Sequence, residues 1–258
     1  MSKIIVIMQK EWLQLRKQPL LVLPMVLLPL LFLVLPLISA SGSSNMTNIP
    51  SSMLENNPLT EGMSVAEITQ VLTGQVFRIM LLILPLMIPN IIASYSIVGE
   101  KTNRTLEPVL ATPITVWELL TAKCLTATLP AVIMTWLVGV LFIGEIGLIS
   151  KSARVVAAIV SPGWLILFFL AAPLMALLSV AITVMISSRV NEPRSAQQIS
   201  AVVIVPLIGL MLLQVGGLVI LSPALGVVLT LVLAVISMIA MWLATLVFQR
   251  EAILTRWK

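Results

Sequence analysis

The chain has 258 residues, 59% of them hydrophobic and only 10% charged, with a net charge of +5. Soluble domains carry about 25% charged residues, so a chain this apolar cannot cover itself with a water-compatible surface and must face lipid. It contains neither histidine nor aspartate, which excludes His-based catalysis, His metal sites and Asp-based magnesium or phosphoryl chemistry.

Residues 1–18 read as an amphipathic helix, with Ile4, Ile5, Met8, Trp12 and Leu15 on one face and Lys3, Lys10, Gln14 and Lys17 on another. That pattern suits a helix lying in the membrane interface, its lysines toward anionic headgroups. Each bilayer crossing needs roughly 20 apolar residues, and six such runs follow. The expected spans are 20–40, 76–98, 119–144, 162–187, 199–221 and 224–248. Residues 41–75 between the first two are polar, carry Glu55, Glu61 and Glu67 without any Lys or Arg, and read as an external loop. Prolines at 24, 29, 36, 85 and 89 fall inside spans, where neighbouring helices can satisfy the freed carbonyls. Gly209, Gln214, Gly216 and Gly217 leave open a broken or re-entrant segment near the fifth span. The fold class expected is an all-α membrane protein, one transmembrane domain over residues 1–258. The single cysteine, Cys124, reads as a small apolar residue in a helix.

Of the 15 basic residues, Arg78, Lys151 and Arg154 fall on one side of this six-span arrangement and all the others on the opposite side. An excess of Lys and Arg marks the cytoplasmic side. Both termini are therefore expected inside and the Glu-bearing first loop outside.

Residues 99–118, between the second and third spans, change composition abruptly. Glu100 and Arg104 stand four apart, a favourable helical pair, and Leu106, Val109 and Leu110 share a face. Thr112-Pro113 ends the run, and Trp117 sits where the next span enters the interface. The picture is a short helix beneath the membrane offering an apolar patch flanked by charges. A soluble partner could grip such a patch, or it could rest on headgroups alone.

The run also resembles the cytoplasmic coupling segment of ABC-2 type transporter permeases. The residues that carry the resemblance are Glu100-Lys101, Thr105-Leu106-Glu107, Leu110-Ala111-Thr112-Pro113, Glu118-Leu119-Leu120 and Lys123. Pro108 stands where that family has an aliphatic residue, and Ala122 where it has glycine. The resemblance implies a permease subunit that pairs with a second copy or a paralogue and rests on two ABC ATPase subunits in the plasma (inner) membrane. ATP and Mg would be bound by those partners, and no nucleic acid is implied. This chain has no G-x-x-x-x-G-K-[ST] phosphate loop of its own, no cofactor and no enzymatic activity. The implied ATPase-coupling residues are Glu100, Lys101, Arg104, Thr105, Leu106, Glu107, Leu110, Thr112 and Pro113, with Lys10, Glu11, Arg16 and Lys17 of the interfacial helix beside them.

Polar groups within spans are where a pathway is sought: Asn90, Tyr95, Thr135, Thr183 and Gln214. So few fixed charges suit an apolar or amphipathic substrate such as a lipid, drug or peptide, moved outward. Each of these residues could equally be glue between helices. Two other classes stay open. An ATP-independent carrier or channel would need charged or carbonyl-rich filters or inverted repeats. A non-transporting membrane scaffold subunit could use the same docking helix.

Overall fold

The computed structural model describes residues 3–42, 63–102, 114–150, 152–215 and 222–247. Every described element is helical. Helix α1 spans Lys3–Arg16 and α2 spans Pro19–Gly42. Helix α3, Val65–Met80, runs through a 3₁₀ turn into α4, Leu84–Thr102. Helix α5 is Val116–Ile149, α6 is Ala153–Ile159 and α7 is Pro162–Ile166. One π-helical turn, Leu167–Ala171, joins α7 to α8, Ala172–Ser187. Helix α9, Pro193–Ser200, leads through a second 3₁₀ turn to α10, Val205–Val215, and α11 is Pro223–Val247. Six helices or helix runs among the described residues are long and apolar enough to cross a membrane.

The second of these differs most from the sequence expectation. Residues 65–75, expected in the external loop, are helical, and Ile68, Thr69, Val71, Gly74 and Gln75 are buried. The helix starts with a capping box: Glu67 N–H donates to Ser64 Oγ, and Ser64 N–H donates to Glu67 Oε2. The Ser-x-x-Glu spacing is a helix-start signal, masked here by the polar residues that follow it. The remainder of that loop, 43–62, lies outside the described residues. The run Val65–Thr102 is 38 residues, about 57 Å long against a hydrocarbon layer of about 30 Å, so a good part of it must project beyond the layer. A second capping box, Thr115 with Glu118, starts α5. For the fifth span, the helical run described starts at Pro193 rather than 199 and is described as far as Val215.

Two charge layers bracket the bundle. Arg78 and Glu100 stand on the same helical run with no charged residue between them, and so do Lys123 and Glu145 on α5. Each pair is 22 positions apart, about 33 Å along a helix, the thickness of the hydrocarbon layer. The most apolar 18-residue stretch of the continuous run through α3 and α4 is the most buried of the six, at 72%, whereas the matching stretches of α2 and α11 are only 22% buried. Thus α4 and α8 form the axis, and the outer helices present leucine, isoleucine and valine to lipid.

Candidate coupling site and membrane pathway

Helix α1 carries two apolar faces. Ile7 and Glu11 are buried, and Ile4, Met8 and Leu15 pack on the core beside them. Ile5, Val6 and Leu13 are exposed on the rest of the helix, while the partly exposed Trp12 donates its indole N–H to Thr126 O of α5 at 3.3 Å. The face turned to the protein is therefore not quite the one the sequence pattern grouped, because it includes an acid and excludes Ile5.

Glu11 is on the buried face because its partners are there. Lys123 Nζ on α5 lies 3.0 Å from Glu11 Oε1 and 2.8 Å from Glu100 Oε2 on α4. Lys10 Nζ lies 2.6 Å from Glu100 Oε1 and 3.9 Å from Glu11 Oε1. Ser96 Oγ donates to Glu11 Oε2 at 2.8 Å, and Lys123 Nζ lies 2.7 Å from Ser96 Oγ. Two lysines and two glutamates thus close a neutral cluster among α1, α4 and α5. Glu11, Glu100 and Lys123 are 3%, 7% and 4% exposed. Removing charges from water costs several kcal/mol per ion, and only such mutual pairing offsets that cost.

This changes the part assigned to Glu100. As a coupling residue it was expected at the surface of a partner's groove; its carboxylate instead turns inward to Lys10 and Lys123. Lys101 Nζ donates to the carbonyls of Ser188 and Val190, at 3.4 and 3.3 Å, just past the C-terminal end of α8, where a cation is favoured. Arg104, Thr105, Leu106, Glu107, Leu110, Thr112 and Pro113 lie outside the described residues. Helix α4 ends two residues after Glu100, and α5, the next described helix, carries Lys123 in its third turn. The helices on either side of the coupling segment both contribute to the cluster, α4 through Glu100 and α5 through Lys123. Sequence reasoning had set Lys10 and Glu11 beside this segment and Lys123 within the motif. It had not found Ser96, which gives no signal in one sequence.

Asn90 is the polar centre of the bundle. Its amide donates to Gln197 O at 3.1 Å, and its carbonyl oxygen accepts from Thr183 at 3.1 Å and from Ser200 at 2.6 Å. It joins α4 to α8 and α9, which is a packing joint. Substituting Asn90 by leucine leaves Thr183 and Ser200 only their bonds to their own helix carbonyls. We expect a loss of about 1–3 kcal/mol, read as a lower thermal midpoint in detergent, with Asn90→Asp less harmful than Asn90→Leu. Thr135 is fully buried and bonds back to Ala131 O at 2.7 Å, so it too serves its own helix. Gln214, 5% exposed, has a side-chain oxygen with no hydrogen-bond partner among the described residues. Tyr95 is half-buried and borders a cavity between α1 and α4.

The sequence matches the family model described as ABC-2 family transporter protein over residues 5–225. The chain belongs to the ABC-2 transporter family. It is accordingly the membrane transport domain of an ABC transporter, a multi-pass permease that works with an ABC ATPase. No curated protein and no solved structure matches it.

Two further features of this permease went unseen in the sequence. An apolar groove of about 680 Å³ runs between α8, α10 and α11, with Leu178, Ile182, Val203, Leu207, Leu229 and Leu233 among its walls. At the end of the bundle away from the ion cluster, Arg78 is 1% exposed. Its Nη1 donates to the carbonyls of Ala158 and Ile159, at 3.3 and 2.6 Å, and to Ser161 Oγ at 3.3 Å. These are the last carbonyls of α6, where a cation is favoured. Trp164 Nε1 in turn donates to Arg78 O at 3.1 Å, and the indole stacks on Phe168 with ring centroids 4.9 Å apart. Arg78 therefore clamps a short helix between two spans, whereas in the sequence it shows only as one of three basic residues on the less basic side.

Proposed function

We propose that this permease forms, with a second copy or a paralogue, the pathway of an exporter for an apolar or amphipathic substrate such as a lipid, drug or peptide. Two ATPase subunits, binding ATP and Mg, sit against residues 101–113. Arg104, Thr105, Leu106, Glu107, Leu110, Thr112 and Pro113 supply the contact surface and Lys101 its edge. Glu100 acts behind that surface. The observation that carries the reading is the buried cluster of Lys10, Glu11, Glu100 and Lys123. It ties α4, which leads into the coupling segment, to α1 and α5, so a push on the segment moves three helices together instead of bending one loop. A neutral, mutually paired cluster is rigid, because displacing any one member exposes the others to an uncompensated charge.

The substrate class follows from the spans. Fixed charges within them stand at the two ends, and the groove among α8, α10 and α11 is walled by aliphatic side chains. Such walls offer burial to alkyl or ring surfaces and no replacement for the hydration of an ion. The basic side, with both termini, is cytoplasmic by the positive-inside rule, in the plasma (inner) membrane.

The test is purification of the chain from its native membrane in mild detergent, with mass spectrometry of its companions. An ABC-type ATPase should co-purify. The pair Arg104→Glu with Glu107→Lys should release it while leaving the permease's thermal midpoint unchanged. Absence of any ATPase, under conditions that keep other ABC complexes whole, would favour a carrier or a scaffold subunit instead.

A further inference from the structure

A cavity of about 240 Å³ separates the buried side of α1 from α4 beside the ion cluster. That is the space of about eight water molecules. Glu11, Gln14 and Lys17 border it from the α1 side, and Tyr95, Gly99 and Glu100 from α4. We propose that this cavity binds one anionic phospholipid through its headgroup, specifically a phosphodiester monoanion bearing hydroxyls, as in phosphatidylglycerol.

Three observations carry this. The first is depth. The cavity lies at the layer marked by Glu100 and Lys123, where the hydrocarbon ends. Tyr95, the chain's one tyrosine, sits in its wall, as amphipathic aromatics do at headgroup level. The second is charge. Lys10, Lys123, Glu11 and Glu100 cancel in pairs. Lys17 is then in excess, exposed, and paired with no carboxylate among the described residues. The site as a whole is short of one negative charge, which a phosphodiester supplies. Gln14 adds an amide donor, and each carboxylate keeps acceptor capacity beyond its lysine partners, suited to headgroup hydroxyls. The third is shape. A Cβ built on Gly99 meets nothing within 4 Å, so the absence of a side chain there leaves the cavity open where any larger residue would intrude. Leu15 and Leu21 also border it, giving the first carbons of an acyl chain an apolar surface.

The experiment is native mass spectrometry of the full chain in mild detergent, delipidated and then offered phosphatidylglycerol, phosphatidylethanolamine or phosphatidylcholine of matched acyl chains. One phosphatidylglycerol should be retained about tenfold or more over phosphatidylcholine, as expected for the loss of a charge-assisted hydrogen bond. Lys17→Gln should abolish the preference, and Gly99→Leu should abolish retention. Neither variant removes a member of the ion cluster, and far-ultraviolet circular dichroism will establish that both stay helical. Equal retention of phosphatidylcholine would overturn the site. Preference for phosphatidylethanolamine would overturn its charge assignment. Undiminished binding in Gly99→Leu would put the lipid elsewhere. Free glycerophosphoglycerol separates a lipid from a soluble phosphodiester: retention of the soluble compound as tight as the lipid's would overturn the membrane source.

Discussion

Lys123→Met should lower the thermal midpoint of the purified permease by on the order of 10 °C, the equivalent of about 3–5 kcal/mol for breaking a buried ion pair. The methionine fills nearly the same volume, so the effect isolates charge. Its loss leaves Glu11 and Glu100 buried, with the half-exposed Lys10 as the remaining lysine of the cluster. Restoring neutrality by Glu100→Gln in the same chain should recover a substantial part of the loss, and the double-mutant cycle measures the coupling. If Lys123→Met melted with the wild type, the cluster would not hold α1 against α4 and α5, and the rigid-unit basis of the coupling proposal would fall. The same variant, stable enough to purify with its ATPase, should keep the complex but uncouple ATP hydrolysis from transport. On the proposed reading, the variant leaves the residues of the coupling segment as they are and cuts only their connection to the bundle.

A second large effect is expected at Gly226, at the start of α11. A Cβ built there falls 2.6 Å from the carbonyl oxygen of Gly163 in α7. The obstacle is backbone, which cannot rotate away, so even Gly226→Ala must part the two helices. Overpacking of this kind costs about 1–3 kcal/mol, and Gly226→Leu should cost more. Gly209 on α10 is the control, because a Cβ there meets nothing within 4 Å. Gly209→Ala should be neutral or stabilising by up to about 1 kcal/mol through helix propensity alone. Size-exclusion profiles after heating will separate the two. Equal behaviour of the alanine variants would show that α7 and α11 do not approach so closely in the membrane.

These two sites also mark where sequence reading stops. The glycine in α11 and the glycine in α10 look alike along the chain, and nothing near either tells which one faces a neighbouring backbone. Glu100 shows the same limit more consequentially. Four residues before Arg104 and beside Lys101, it reads as one more charge of a surface segment. Its partners arrive from 90 and 23 positions away, so its inward turn is invisible to any local pattern. Asn90 stands out in the sequence as a polar residue within a span, open to a pathway role or to helix glue. Its role as a joint depends on Thr183 and Ser200 reaching it from α8 and α9. The helix over 65–75 is a different case, since the Ser64–Glu67 box was present in the sequence and the polar composition outweighed it.

By itself the sequence determined that this is an all-α membrane protein, that it holds six runs apolar enough to cross a bilayer, and which family it resembles. Those properties follow from the length of apolar runs, the placement of charges between them and a contiguous motif, all of them local along the chain. Only the tertiary structure decided which way each polar side chain faces. A helix that is apolar nearly all round has no periodic signal to separate its lipid-facing side from its buried one. The cost of burying a charge is then offset by residues distant in sequence, here Lys10 and Lys123 around Glu100, and that pairing exists only once the helices are packed.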